Sequence, residues 1–218
     1  MKNYPRVAIV DFKLGNLFSV YEACKHTGLD AVLTSDPKII SQSDGVILPG
    51  VGAFGDAMNF MRDHGLDFAV TDFIKTGKPF LGICLGMQLL CDDSQEFGHS
   101  RGLGIVPGRV TKLPVQKQDE VILKIPQVGW NQIHSPTNTL DCWTDTPLAD
   151  IPNGSYFYFV HSFYCAHIPE ENILTQTTYG DVTYCSGLRF GNAYAFQFHP
   201  EKSSELGLRI YSNWKKSF

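Results

Sequence analysis

Cys84 stands in Gly82-Ile83-Cys84-Leu85-Gly86, between an apolar run and a helical pattern. A sharp strand-to-helix turn exposes a nucleophile, and small neighbours are needed because the backbone there is crowded and strained. A helix N-terminus at the sulfur lowers a thiol pKa and offers backbone N–H groups to a developing oxyanion. The same five residues would also suit a buried cysteine in a tight strand–helix joint.

A thiol nucleophile needs a base, and the base needs an orienting carboxylate. Phe196-Gln197-Phe198-His199-Pro200-Glu201 offers both. His199 and Glu201 are two apart, so on an extended segment both side chains leave on one side. Pro200 favours extended backbone at His199 and fixes its own φ. Alone, His-Pro-Glu also reads as surface punctuation; with Cys84, each stretch supplies what the other lacks. A third stretch, Pro49-Gly50-Val51-Gly52-Ala53-Phe54, follows an apolar run. Glycines after a strand can cradle phosphate, but neither Gly-Lys-Ser/Thr nor a full G-x-G-x-x-G is present. A strand end lending an N–H to an oxyanion suits the cysteine better.

The elements that must position these residues follow from the pattern. Short apolar runs at 7–10, 31–34, 45–48 and 79–83 alternate with helical spacing at 17–24, 56–62, 66–75 and 85–91. That alternation predicts an α/β fold: a doubly wound, mostly parallel sheet with flanking helices. Runs at 109–113, 156–160, 173–178, 184–189 and 193–197, divided by Pro, Asn, Gly and Asp, predict an antiparallel extension of the same sheet. A helix over 205–216 closes it. The 218 residues show no repeat, low-complexity tract or linker, which predicts one domain over 1–218.

Composition narrows the partners. Apolar residues at 43% and charged residues at 18% allow a real core. A net charge of −4 argues against nucleic acid or an anionic membrane as the main partner. No apolar run approaches the roughly 18–20 residues that span a bilayer, and residues 1–10 do not read as a signal peptide. Cys24, Cys84, Cys91, Cys142, Cys165 and Cys185 form no CxxC pair, so neither zinc nor a disulfide framework is expected. A reducing, cytoplasmic compartment is.

The Gly-Ile-Cys-Leu-Gly turn with Gln88 four residues after the cysteine, together with His199-Pro200-Glu201, resembles the class I (triad) glutamine amidotransferases. Within that family, four segments are similar to the glutaminase subunits of imidazole glycerol phosphate synthase. They are Pro49 to Phe54, Gly129-Trp130-Asn131, Tyr158-Phe159-Val160-His161-Ser162 and Gln197 to Ser203. The resemblance runs in order from Val7 to the C-terminal helix. It implies that Cys84 attacks the carboxamide of L-glutamine to give a thioester, with His199 as acid and base and Glu201 orienting it. It implies an oxyanion site from the Leu85 N–H and the Gly50-Val51-Gly52 strand, which reorients on activation. Gln88 and Glu96 would hold the amino acid end of glutamine, and the backbone at Ser162 and Phe163 its carboxylate. Trp130, Asn131, Tyr158 and Lys202 would face a (β/α)₈-barrel cyclase of the HisF type, forming a heterodimer. Ammonia would pass through that barrel, with no cofactor and no metal, and the isolated subunit would hydrolyse glutamine poorly.

Two segments depart from the family pattern. Gln127 in Ile125-Pro126-Gln127-Val128-Gly129 replaces a usual histidine, and Asp11-Phe12-Lys13-Leu14-Gly15-Asn16 replaces a usual Asp-Tyr-Gly start. Gln127 and the Phe163-Tyr164 pair are similar to a paralogous group that supplies ammonia for amidino sugars of surface polysaccharides, so that acceptor stays open. So do two other readings, a non-catalytic regulatory subunit and a cysteine peptidase or hydrolase on this fold.

Overall fold

A computed structural model describes residues 4–13, 15–118, 121–137 and 143–218. Leu14 and Cys142, named above, lie outside the described residues. Arg6–Val10 sits between Asp30–Thr34 and Gly45–Gly50, and Phe80–Cys84 follows, all four strands parallel. Three of them, Arg6–Val10, Gly45–Gly50 and Phe80–Cys84, are almost wholly buried because helices cover both faces, which is why they read as continuous apolar runs. Successive side chains divide between two cores. Ala8, Val10, Val46 and Leu48 meet Phe54, Met58, Met61 and Val70 on one face. Val7, Ile9, Ile47 and Leu81 meet Val20, Ile210, Tyr211 and Trp214 on the other.

The helices are Leu17–His26, Phe54–Asp63, Leu66–Lys75 and Ser204–Trp214, close to the expected spans. Gly65, at φ 67°, breaks the chain between the middle two, a left-handed turn that glycine makes without strain. A short helix, Pro37–Gln42, was not legible as one; Asp36 caps it by accepting from the Lys38 N–H, and Pro37 occupies its first turn.

The expected extension is present, with two corrections. Ala193–Phe196 joins the sheet parallel to Phe80–Cys84, with Phe196 opposite Ile83, and only then do Val182–Phe190, Phe163–Ala166 and Arg109–Lys112 continue antiparallel. Ile173–Tyr179 pairs with Val182–Phe190 off this path. Tyr156–His161 does not join that sheet. It pairs with Gln127–Gln132 as a separate two-stranded ribbon. The reason lies in its alternation: Phe157, Phe159 and His161 are buried, and Phe157 and Phe159 pack on Phe198. The other side faces outward, a one-sided strand that covers a core instead of crossing it.

Candidate active site

Cys84 ends its strand at φ 55° and ψ −109°, a left-handed conformation that costs a non-glycine residue energy and turns the side chain out of the sheet. Its flanking glycines are sterically required. A Cβ on Gly86 would overlap the Leu48 carbonyl, and one on Gly82 would lie 2.8 Å from the Ala195 Cβ. Gly50 is the register partner of Cys84 on the neighbouring strand, and a Cβ there would overlap the Phe12 ring. The helix expected over 85–91 is a single turn, Leu85–Gln88, after which the chain bends. Backbone N–H groups of Ile105 and Val106 take the Leu90 carbonyl instead. So short a helix contributes little dipole, and the nearby donors matter more.

His199 and Glu201 lie just past Ala193–Phe196, whose pairing with the Cys84 strand brings them to the same sheet edge. The His199 Nδ1 is 2.7 Å from Glu201 Oε1. Their backbone differs from the extended pair expected: His199 is extended, but Pro200–Lys202 forms a 3₁₀ turn with Pro200 in its first position. The turn brings the carboxylate back under the imidazole. Ser203 fixes it, its hydroxyl donating to the His199 carbonyl at 2.7 Å and accepting from the Tyr158 N–H at 3.0 Å, while the His199 N–H donates to the Tyr158 carbonyl. Burial of His199 opposes its charge, but the Cys84 sulfur and then the Glu201 carboxylate outweigh burial and push its pKa from 6.5 up to about 10. The imidazolium is the favoured form opposite the sulfur.

A cavity of about 540 Å³ opens on Cys84, lined also by Val51, Gly52, Leu85, Gln88, Glu96, Ser162 and Phe163. The sequence-derived substrate residues are thus brought to one place. Gln88 Nε2 donates to the Phe163 carbonyl at 2.9 Å and to Gln197 Oε1 at 3.0 Å. Glu96 Oε2 accepts from the Phe54 N–H at 2.7 Å, at the start of Phe54–Asp63. Gly52 has φ 114°, a conformation that side chains rarely adopt. Gly50 sits behind this wall rather than on it.

Sequence reasoning missed Lys112, Phe97, Pro126 and His161 in the same lining. His161 Nδ1 is 2.9 Å from the Phe163 carbonyl, which only accepts, so that nitrogen carries the proton. Its Nε2 lies 3.0 Å from the Tyr184 hydroxyl, which lies 3.0 Å from Gln127 Oε1. Burial, with His199 close by, pushes the His161 pKa down to about 4 against its bond to Phe163, so it is neutral. The available signal was Tyr158 to Ser162, read as a motif but not for this histidine.

The residues assigned to a partner surface lie together at the ribbon. Trp130 and Tyr158 are register partners with rings in T-shaped contact, and Lys202 Nζ sits 5.8 Å from the Tyr158 ring centre. Trp130 is 51% exposed, so it is no core residue. Asn131 differs: its amide donates to the Thr178 carbonyl of the same chain. Among the described residues, Cys24, Cys84, Cys91, Cys165 and Cys185 are free and buried, no group of acidic, His or Cys side chains is set to hold a metal, and no helix is long and apolar enough to cross a membrane.

Known proteins agree with this architecture. The family model "Glutamine amidotransferase class-I" matches residues 8–214. The imidazole glycerol phosphate synthase subunit HisH of Syntrophotalea carbinolica is 43% identical over 213 residues, covering 95% of this chain and 98% of the relative. The subunit of the same name from Chlorobaculum tepidum is 41% identical over 208 residues, with the same coverage of both chains. Among solved structures, one titled as a glutamine amidotransferase superposes with TM-score 0.71 at 17% identity, covering 96% of this chain and 98% of that one. PurLQS from Thermotoga maritima gives 0.68 at 19% identity, covering 97% of each. The last two bear on the fold alone; the residues matched and the identity to the relatives place the chain in the class I glutamine amidotransferase family, among its HisH subunits.

Proposed function

We propose that the chain, as one domain, is the glutaminase subunit of an imidazole glycerol phosphate synthase. It hydrolyses L-glutamine and passes the ammonia to a (β/α)₈-barrel cyclase of the HisF type. The observation that carries this reading is the meeting of Cys84, Gln88 and Glu96 on one cavity, with the His199–Glu201 pair just past the strand paired with that of Cys84. The Cys84 sulfur attacks the side-chain carboxamide carbon, and the carbonyl oxygen takes the negative charge. The Leu85 N–H and an N–H of Gly50 to Gly52 receive that oxyanion. His199 gives its proton to the leaving ammonia, leaving a γ-glutamyl thioester, and then takes a proton from the water that releases glutamate. Glu201 holds the imidazole through Nδ1 and supports its charge. Gln88 and Glu96 take the amino end of the substrate, and the backbone at Ser162 and Phe163 takes its carboxylate.

Trp130, Tyr158 and Lys202 form the docking face, with Asn131 beneath it. Tyr158 is tied to His199 by one backbone bond and through the Ser203 hydroxyl, so seating a partner on the ribbon bears directly on the base. The names of the relatives favour the histidine pathway over amidination of a surface-polysaccharide sugar. A reducing cytoplasm suits the free buried thiols. The test is glutamate release from glutamine with the barrel partner and its ligand present. Cys84→Ala should abolish it; equal rates for variant and wild type would overturn the reading.

A further inference from the structure

Gln197 takes no part in the reading above, yet its side chain touches the reacting atom. It is fully buried, one residue past Ala193–Phe196, and its backbone N–H is fixed on the Ser186 carbonyl at 2.9 Å. Phe196 lies opposite Ile83 in the parallel pairing, so the next residues along, Gln197 and Cys84, fall at the same level. Gln197 Nε2 is 3.6 Å from the Cys84 sulfur.

Which end of the Gln197 amide faces the sulfur follows from a chain of bonds that starts at a backbone carbonyl. The Phe163 oxygen can only accept, so the Gln88 atom 2.9 Å away is its nitrogen. That same nitrogen is 3.0 Å from the Gln197 amide, so the atom of Gln197 facing it is the oxygen. The other end of Gln197, against the sulfur, is therefore NH₂. Reversing either amide would set donor against donor or acceptor against acceptor at a buried site, a costly arrangement.

We infer that Gln197 is a fixed N–H donor to the Cys84 sulfur, which holds the sulfur in its charged, attacking form and aims it at the cavity. This rests on Cys84 being the nucleophile. A donor that meets a sulfur anion makes a charge-assisted bond, stronger than one to a neutral thiol, so it favours the anion selectively. The imidazolium of His199 supports the same charge from another side. Gln88 serves both ends of the chain: it lines the substrate cavity and locks the orientation of Gln197.

Cys84 alkylation by iodoacetamide, followed on the Cys84 peptide by mass spectrometry across pH, tests this in the intact chain. Glutaminase activity is read in the complex with the barrel partner. Gln197→Met removes the donor at similar volume, and Gln197→Leu serves if Met does not fold. The alkylation midpoint should move to higher pH by about one unit, and kcat should fall ~10- to 100-fold. A role confined to packing would lower the melting temperature and leave the alkylation midpoint at the wild-type pH, and that result overturns the inference. Cys84→Ala separates the two claims. Activity surviving in Cys84→Ala defeats the nucleophile, whereas an inactive Cys84→Ala beside an unshifted Gln197→Met defeats only the donor.

Discussion

Gly50 and Cys84 are register partners at the ends of adjacent parallel strands. The pairing sets the glycine-rich segment beside Cys84 through the sheet itself, without a long loop to hold it there. Ala193–Phe196 lies on the other side of the Cys84 strand and delivers Gln197 and His199. Three strands of a parallel sheet thus end on one edge with Gly50, Cys84 and the Gln197-to-His199 stretch side by side. Ligands in open α/β sheets bind at such carboxyl edges.

Gly86 is where the turn tolerates least. Gly86→Ala would drive its methyl group into the Leu48 carbonyl, and neither backbone can yield without disturbing the central strands. The variant should lose about 2–4 kcal/mol of stability, read as a lower urea midpoint at unchanged slope. A midpoint equal to that of the wild type would show that the elbow has slack.

Glu201→Gln keeps the shape of the pair and removes its charge. Because the negative partner favours the imidazolium, its loss lowers the His199 pKa from its position near 10, and the alkaline limb of the kcat profile moves to lower pH. The rate should fall about 10²- to 10⁴-fold. An unmoved alkaline limb would mean that Glu201 does not support the charge.

His161 makes the fold acid-sensitive. Unfolded, it takes a proton near 6.5; folded, it resists until about 4, so the unfolded chain binds more protons between those values. Its contribution is complete above 6.5 and lost as pH falls toward 4, roughly 3 kcal/mol in all. Urea midpoints at pH 7 and pH 5 should differ less in His161→Asn than in the wild type. Equal pH dependence in both would contradict this.

Trp130 should matter for association and little for folding. Half exposed on the ribbon, Trp130→Ala should change stability by less than about 0.5 kcal/mol. It should weaken binding of the barrel partner about tenfold or more, measured by titration calorimetry. Wild-type affinity would move the docking face elsewhere.

Much of this was legible in the chain, for physical reasons. The parallel strands read as Val, Ile and Leu runs because both their faces are covered, and Cys84, His199 and Glu201 stand in short motifs that gain meaning only when taken together. Gln127–Gln132 did not read as a strand, because glutamine, glycine and asparagine interrupt any alternation and its partner lies well along the chain. The 3₁₀ turn at Pro200–Lys202 was hidden because proline suits both an extended segment and the start of a turn. Gln197 and His161 stood inside motifs that were read, but nothing in those motifs gave either one its partners. Their places depend on register with Cys84 and on the Tyr184 hydroxyl, which only the folded chain brings near.

The most direct measurement is covalent labelling of Cys84 by a glutamine-mimicking electrophile, with and without competitors, in the complex with the barrel partner. Labelling confined to Cys84, blocked by L-glutamine and unaffected by peptides, is the expected result. Labelling that glutamine does not slow, or that peptides block equally, would contradict a glutamine-specific nucleophile at Cys84.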